Sequence, residues 1–400
     1  MRRLALPLAL FALALPTLAQ PTSATLTGTV TGDDGQPLPG AHVFLAQTQR
    51  GTITNAEGRY RLPAVPLGAH RLVASIIGFE TDAEDLVLRD AGDTKTINFR
   101  LRESEFELGE VTVESTEDAR WQARYERFQH RFLGESSNAA ETEILNPYVL
   151  DFDERMGTLT ATAREPLIIE NRALGYRVRY DLTDFEARSN SNFFNGEPLF
   201  EEMEPADEVQ FARWQANRRK AYFGSPRHLI RSLIADTAEE QDFTLYLLPA
   251  RGPGGQGGLG GFGNQQRPGN RFPTTAGEVL KPAKNDEYKL TFFGVLEASY
   301  LAEGEAAEYL GSEWNPEQRT ARPVQTSQLR FPMAEDTAKL DRFGEELDAR
   351  SIVVSGYMAF ERFADDLPRE YGLAESGIPG AAEAVEASLS EAERVVPDVE

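Results

Sequence analysis

The chain has 400 residues, with 64 Asp and Glu against 41 Lys and Arg, a net charge of −23, and no cysteine. So acidic a surface repels polyphosphate, which excludes non-specific nucleic-acid binding. The missing cysteine excludes a disulfide framework, a thiol nucleophile and a lipid-modified cysteine. The lysines are few (Lys95, Lys220, Lys281, Lys284, Lys289 and Lys339) and arginine supplies the remaining cations. Acid excess with little lysine suits a high-salt habitat, where charges are screened over a few ångströms, as well as it suits ordinary solvated acidity.

The first stretch, MRRLALPLALFALALPTLAQ, reads as an export leader over residues 1–19. Arg2 and Arg3 form a positive start, Leu4 to Leu15 an apolar core, and Thr17-Leu18-Ala19 a small-residue cleavage site before Gln20. That core is too short to cross a bilayer, and no later segment offers a long uncharged apolar run. The expected location is the periplasm or cell surface, in association with the outer membrane and without a transmembrane segment.

From Leu26 to Phe79 short strands are cut at near-regular intervals by turn residues: Asp34-Gly35, the Pro37/Pro39 pair, Asn55-Ala56-Glu57-Gly58 and Pro66-Leu67-Gly68. Between them apolar positions alternate, at Leu26/Gly28/Val30, Val43/Leu45, Tyr60/Leu62 and Leu72/Ala74/Ile76, so one face of each strand points inward. This is the pattern of a small β-sandwich. Gly28, Val30, Pro37, Leu38, Pro39, Gly40, Ala41, Val43, Gly51, Thr54, Gly58, Tyr60, Gly68, Leu72, Gly78 and Phe79 stand in an order that resembles the carboxypeptidase-regulatory-like domain. That transthyretin-like sandwich is common in surface proteins of Bacteroidetes-type bacteria. The resemblance covers residues 24–102 and implies a seven-stranded sandwich that serves as an accessory module in many different proteins.

Glu107 to Ser115 (ELGEVTVES) reads as one more strand. A similar segment follows this module in TonB-dependent receptors, but no plug domain continues here, and the chain is too short for a receptor barrel and lacks its terminal aromatic residue. Asp118 to Leu133 is the clearest helix, with Ser115 and Asp118 at its start and Gly134 at its end. Its aromatic stripe of Trp121, Tyr125, Phe128 and Phe132 is expected in the core, and His130 in solvent. Strands return at Gly157–Ala163, Pro166–Glu170 and Tyr176–Tyr180, with a turn over Asn171–Gly175. Pro205–Tyr222 and Pro226–Asp236 read as two helices broken at Phe223-Gly224-Ser225, and Asp242–Leu248 as a strand. Residues 251–272 hold nine glycines in twenty-two positions and read as a flexible insert. Strands resume at Glu287–Tyr300, Gln325–Phe331 and Ser351–Tyr357, and the acidic end reads as disordered, or as a fraying helix over Ala381–Val395.

Several segments between residues 118 and 363 resemble uncharacterised secreted proteins of Bacteroidetes-type bacteria that carry the same sandwich before a β-rich domain. They include Phe132-Leu133-Gly134, Glu143-Ile144-Leu145-Asn146-Pro147, Glu165 to Tyr176 and Lys220 to His228. The resemblance brings no activity with it. The fold class expected is mainly β, a sandwich followed by a β-rich α+β domain with a few helices. The domains expected are a leader over 1–19, a sandwich over 20–115, a C-terminal domain over 116–250 and 273–370, the insert over 251–272 and an acidic tail over 371–400.

The histidines are His42, His70, His130 and His228. None has Glu three residues later and no HExxH pair exists, so the spacing argues against a three-ligand zinc site. There is no Gly-x-Ser-x-Gly elbow and no Gly-Lys-Ser/Thr end to a glycine loop. Asp151/Asp153 and Asp181/Asp184 are pairs of a kind that so many acids produce by chance, and Asp151 to Glu154 lacks the ligand run of a calcium loop. No catalytic, metal or cofactor site is expected, and no cofactor.

One segment stands out. Arg213, Arg218, Arg219, Lys220, Arg227 and Arg231 occur without a single acid between them, with His228, Trp214, Tyr222 and Phe223 interleaved. Two readings follow. The cations form a docking site for an anionic partner, such as lipopolysaccharide phosphate, an acidic glycan or an envelope protein, with Pro226 opening a helix whose N-terminus suits an anion. Alternatively, acids of the same domain pair with them and hold the helices onto the sheet, which the abundance of acids favours. The function expected is that of a secreted, non-enzymatic envelope protein whose sandwich is an assembly module and whose C-terminal domain carries recognition. The alternatives are an accessory subunit of an outer-membrane uptake or export complex, and a hydrolase with an acidic site in a deep pocket.

Overall fold

The computed structural model describes residues 23–104, 119–189, 191–249, 271–284, 287–315, 320–332, 336–348, 350–373 and 376. The leader, the Glu107–Ser115 strand, Asp118, the glycine insert through Asn270 and the tail beyond Leu373, Ser376 apart, lie outside the described residues.

The turn-bounded strands form two sheets. Strands β1 (Ser23–Gly32), β2 (His42–Leu45), β3 (Gly51–Ile53), β4 (Arg59–Pro66), β5 (Gly68–Ser75), β6 (Asp82–Leu88), β7 (Thr94–Thr96) and β8 (Phe99–Leu101) follow in order. One sheet places β4 on one side of β1 and both β7 and β8 on the other; the second runs β3-β2-β5-β6. The inward residues are those the alternation marks: Leu26, Val30, Val43, Leu45, Tyr60, Leu62, Leu72 and Ala74 share one core. Where seven strands were expected there are eight, because one edge strand is interrupted. β7 and β8 both run parallel to β1, and between them the Asn98 side chain accepts from the Thr29 amide at 2.9 Å in place of a ladder bond. Gly28 is required beside this break, since a Cβ there would lie 1.6 Å from the Ile97 carbonyl oxygen.

Helix α1 (Ala119–Phe132) leads to β9 (Thr142–Ile144), β10 (Leu150–Arg155), β11 (Thr158–Ala163), β12 (Leu167–Asn171), β13 (Tyr176–Ala187) and β14 (Asn192–Glu202). They make a six-stranded sheet, β10-β11-β13-β12-β9, with β14 along β13. One side of the long β13 takes β12 near its start and β11 near its end, while β14 pairs along the whole of the other side. The aromatic stripe of α1 is core as expected: Phe128 meets Phe185 at 4.6 Å, and Phe132 meets Tyr180 at 5.1 Å.

Next come α2 (Glu208–Tyr222), α3 (Pro226–Ile234), β15 (Phe243–Leu248), β16 (Phe272–Pro273), α4 (Ala276–Val279), β17 (Leu280–Pro282), β18 (Tyr288–Thr291), β19 (Val295–Tyr300), α5 (Ala307–Gly311), β20 (Gln325–Arg330), β21 (Thr337–Leu340), β22 (Val353–Gly356) and α6 (Tyr357–Phe360). A five-stranded sheet, β16-β15-β19-β20-β22, and a three-stranded sheet, β17-β18-β21, enclose Leu229, Ile230 and Leu233 of α3 in one core.

Four expectations change. The apolar run Glu287–Tyr300 is two strands in different sheets, because Gly294 adopts φ +89° between them. β14 had no counterpart in the sequence reading. Phe272 belongs to a strand rather than to the insert. Tyr371 to Leu373, assigned to the tail, are packed: Leu373 is buried against Phe343, and the Tyr371 carbonyl accepts from Arg231.

The sandwich is seated on β14. Gln47 N donates to the Pro198 carbonyl at 2.7 Å, Phe200 N donates to the Thr48 carbonyl at 2.9 Å, and Leu199 closes over Phe44, Ala46 and Val73. Polar bonds flank this strip. Ser75 and Thr81 donate to Asp181 at 2.8 and 3.0 Å, Arg71 to Glu197 at 2.5 Å, and Arg369 to the Ala69 carbonyl at 3.0 Å.

Candidate functional site

The cationic segment occupies α2, the turn after it and α3. Asp207 caps α2 by accepting from Gln210 N at 2.7 Å. The helix ends where Gly224 turns with φ +84°, and Ser225 caps α3 by accepting from His228 N at 3.2 Å.

The structure divides the seven expected residues. Arg218 is buried: it donates to the Leu174 carbonyl at 2.7 Å and to Glu202 at 2.6 Å, and its guanidinium lies 4.1 Å from the centre of the Tyr176 ring. Arg227 reaches Glu345 at 2.6 Å and the Leu367 carbonyl at 2.7 Å; burial opposes its charge, but Glu345 and Asp366 outweigh it and hold the pKa up. Arg231 is wholly buried and donates to the carbonyls of Phe343, Tyr371 and Arg369. The His228 ring accepts from Gly224 N at Nδ1 and faces the Gln241 side-chain oxygen Oε1 with Nε2, so Nε2 carries the proton; burial pushes its pKa down to about 4 and keeps the ring neutral. Arg213 pairs at the surface with Glu141 at 3.0 Å. Arg219 and Lys220 remain exposed, Arg219 near the Phe223 ring.

The surface patch is thereby reduced. Arg218, Arg227, His228 and Arg231 are internal fasteners, and the start of α3 is closed by Ser225 and by the inward turn of Arg227. Arg213, Arg219 and Lys220 are the members that face solvent.

Lys220 faces a small cleft between α2, the loop after α1 and the segment after α6, with Ser136, Asn138, Tyr357, Glu361 and Asp365 also in its walls. Its volume of about 20 Å³ admits roughly one water or one ion. Asp365 Oδ1 accepts from Ser136 Oγ at 3.0 Å and Asn138 Nδ2 at 2.8 Å. Asp365 Oδ2 and Glu361 Oε2 are buried without a hydrogen-bond partner among the described residues. Burial raises the Asp365 pKa to about 6, against the pull of Ser136 and Asn138. Burial, with Asp365 and Glu303 nearby, raises Glu361 well above the ordinary carboxyl range. The sequence reading missed this pair. The available signal was the embedding of Glu361 and Asp365 among Tyr357, Phe360 and Phe363, which places acids where the chain must be buried.

His130 is exposed, as expected, and its ring lies between two carboxylates, Nε2 at 3.3 Å from Glu135 and Nδ1 at 3.0 Å from Glu313. Among the described residues these three bring potential ligand atoms within 4.8 Å of one another, a convergence that spacing along the chain could not reveal. Both ring nitrogens face acids and Arg131 takes the other Glu313 oxygen at 2.7 Å, which is the arrangement of an imidazolium clamp. The acids over Asp151–Glu154 are each paired with arginine, Asp151 with Arg164, Asp153 with Arg155 and Glu154 with Arg127. Asp181 is buried in the sandwich seam whereas Asp184 is exposed, so these two do not act as a pair.

Residues 25–102 match the carboxypeptidase regulatory-like domain. The TonB-dependent receptor P39 of Formosa agariphila is 40% identical over 88 residues, covering 22% of this chain and 8% of the receptor. Among solved structures, a cohesin–X-dockerin complex from Acetivibrio cellulolyticus is 14% identical with a TM-score of 0.18, over 20% of this chain and 58% of that one. Catechol 1,2-dioxygenase from Pseudomonas arvilla is 19% identical at a TM-score of 0.18, over 23% and 55%. A putative carbohydrate-binding protein from Bacteroides uniformis is 8% identical at 0.17, over 40% and 58%. The chain thus spans a small part of the receptor and little more than half of each structure. At these scores the structural likenesses carry no inference about activity.

Proposed function

We propose that this is an exported, non-enzymatic envelope protein in which the regulatory-like sandwich is a built-in assembly module and the two β-rich units behind it carry recognition. The carrying observation is the seam. Main-chain bonds at Gln47 and Thr48, the Leu199 contact and the Asp181 and Glu197 networks seat the sandwich on β14, so it presents the rest of the chain in one orientation instead of trailing from it. The cleft at Glu361 and Asp365 has room for about one water, which suits an ion-sized occupant.

A second reading, an accessory subunit of an outer-membrane uptake or export complex, is favoured by the match to the domain of a TonB-dependent receptor. Pull-down from envelope membranes with the exported chain as bait tests both readings. A defined partner lost on Arg219→Ala/Lys220→Ala supports recognition through the exposed cations. Recovery of an outer-membrane transporter favours the accessory subunit, and turnover of a glycan or peptide by the purified chain overturns the non-enzymatic reading.

A further inference from the structure

We propose that Glu361 and Asp365 bind a hard divalent cation of the calcium or magnesium class. Asp365 is 9% exposed, and its two oxygens are used unequally. Oδ1 is saturated by Ser136 and Asn138, while Oδ2 lies buried with no partner among the described residues. Glu361, four positions earlier, also turns a buried, unpartnered oxygen toward the same interior. A buried carboxylate oxygen left unmatched is costly, so two beside one cleft call for a common partner.

Lys220 lines the cleft, but among the described residues it closes no hydrogen bond or ion pair to either acid. Its charge is felt at a distance and leaves both oxygens unmatched. Lys220 apart, the polar side chains lining the space offer oxygen, from Glu308, Glu361, Asp365, Tyr357, the two serines and Asn138, with no histidine among them. An all-oxygen set selects hard cations over zinc or copper. The volume of about 20 Å³ suits one ion with its coordination completed by water at the open side.

The test is titration of the full exported chain with CaCl2 and with MgCl2 at pH 7.5 in moderate salt, followed by calorimetry and by thermal unfolding. We expect one saturable site with a Kd at or below about 1 mM and a rise in melting temperature that grows with ion concentration. Asp365→Asn keeps the Oδ1 acceptor for Ser136 and Asn138, and Glu361→Gln keeps the shape, so both retain the fold. Each should weaken binding at least tenfold and abolish the thermal shift. Absence of a saturable site for both ions overturns the proposal. So does an affinity unchanged in both variants, which would assign the binding to the acidic surface at large.

Discussion

Asp181 of β13 accepts hydrogen bonds from both Ser75 and Thr81 of the sandwich, at 2.8 and 3.0 Å, while Arg179 Nη2 donates to the same Ser75 hydroxyl at 3.1 Å. One carboxylate therefore anchors two sandwich residues and has an arginine for company. Asp181→Ala strands these donors in a buried seam, and loss of one member of a buried charged network costs about 3–5 kcal/mol. Calorimetry should then resolve two unfolding transitions where the parent shows one. A single transition at the parent temperature would show that the seam adds nothing to coupling.

A fragment of residues 21–115 should unfold cooperatively but below the temperature of the full chain. It keeps the fifteen-residue core around Leu26 and Leu72, yet exposes Phe44, Ala46 and Val73, which Leu199 covers. Lack of any thermal transition would place the domain boundary elsewhere.

Arg218→Ala should destabilise by about 1–3 kcal/mol, because its loss leaves the buried Leu174 carbonyl without its donor, while the half-exposed Glu202 rehydrates. Arg219→Ala/Lys220→Ala should change stability by less than about 0.5 kcal/mol, as these side chains face solvent. Chemical denaturation of both variants separates the two roles.

The pH dependence of stability sets two buried histidines against two buried carboxyls. Burial holds His228 at about 4 and His70 at about 3, below their ordinary 6.5. The stability from keeping them neutral is present above pH 6.5 and is lost as pH falls. Burial raises Glu346 to about 7 and Asp365 to about 6, so the stability tied to their protons is present at low pH and is lost as pH rises through those values. Below about pH 6 these effects oppose each other, while from about pH 6.5 to 7 the histidines are neutral in both states and, of these four, Glu346 alone still gives up stability, so the melting temperature should fall as pH rises across that interval. Glu346→Gln should flatten that fall, and an unchanged slope would remove Glu346 from the account.

The sandwich was legible because its turns are punctuated by Gly, Pro and Asn and its alternation faces a single core, so local rules and the fold agree. β14 was not, because Gly196-Glu197-Pro198 reads as a turn. The glycine is needed since a Cβ would fall 2.4 Å from the Tyr180 ring, and Pro198 offers the seam its carbonyl without needing an amide. The cationic segment showed its charge but not its partners. Glu202, Glu345 and the carbonyls of Leu174 and Arg369 come from other elements, and only tertiary packing brings them there. The Glu361/Asp365 pair was lost among the 64 acids for the same reason.

The bonds from Gln47 to Pro198 and from Phe200 to Thr48 have a consequence for self-association. β14 borders its sheet, and such a strand offers open amides and carbonyls to any passing chain. Along Pro198 to Phe200 the sandwich occupies that edge and Leu199 is hidden beneath Phe44. The small domain thus acts as a guard against edge-to-edge aggregation, a duty that would persist in any relative that lost its outside partner.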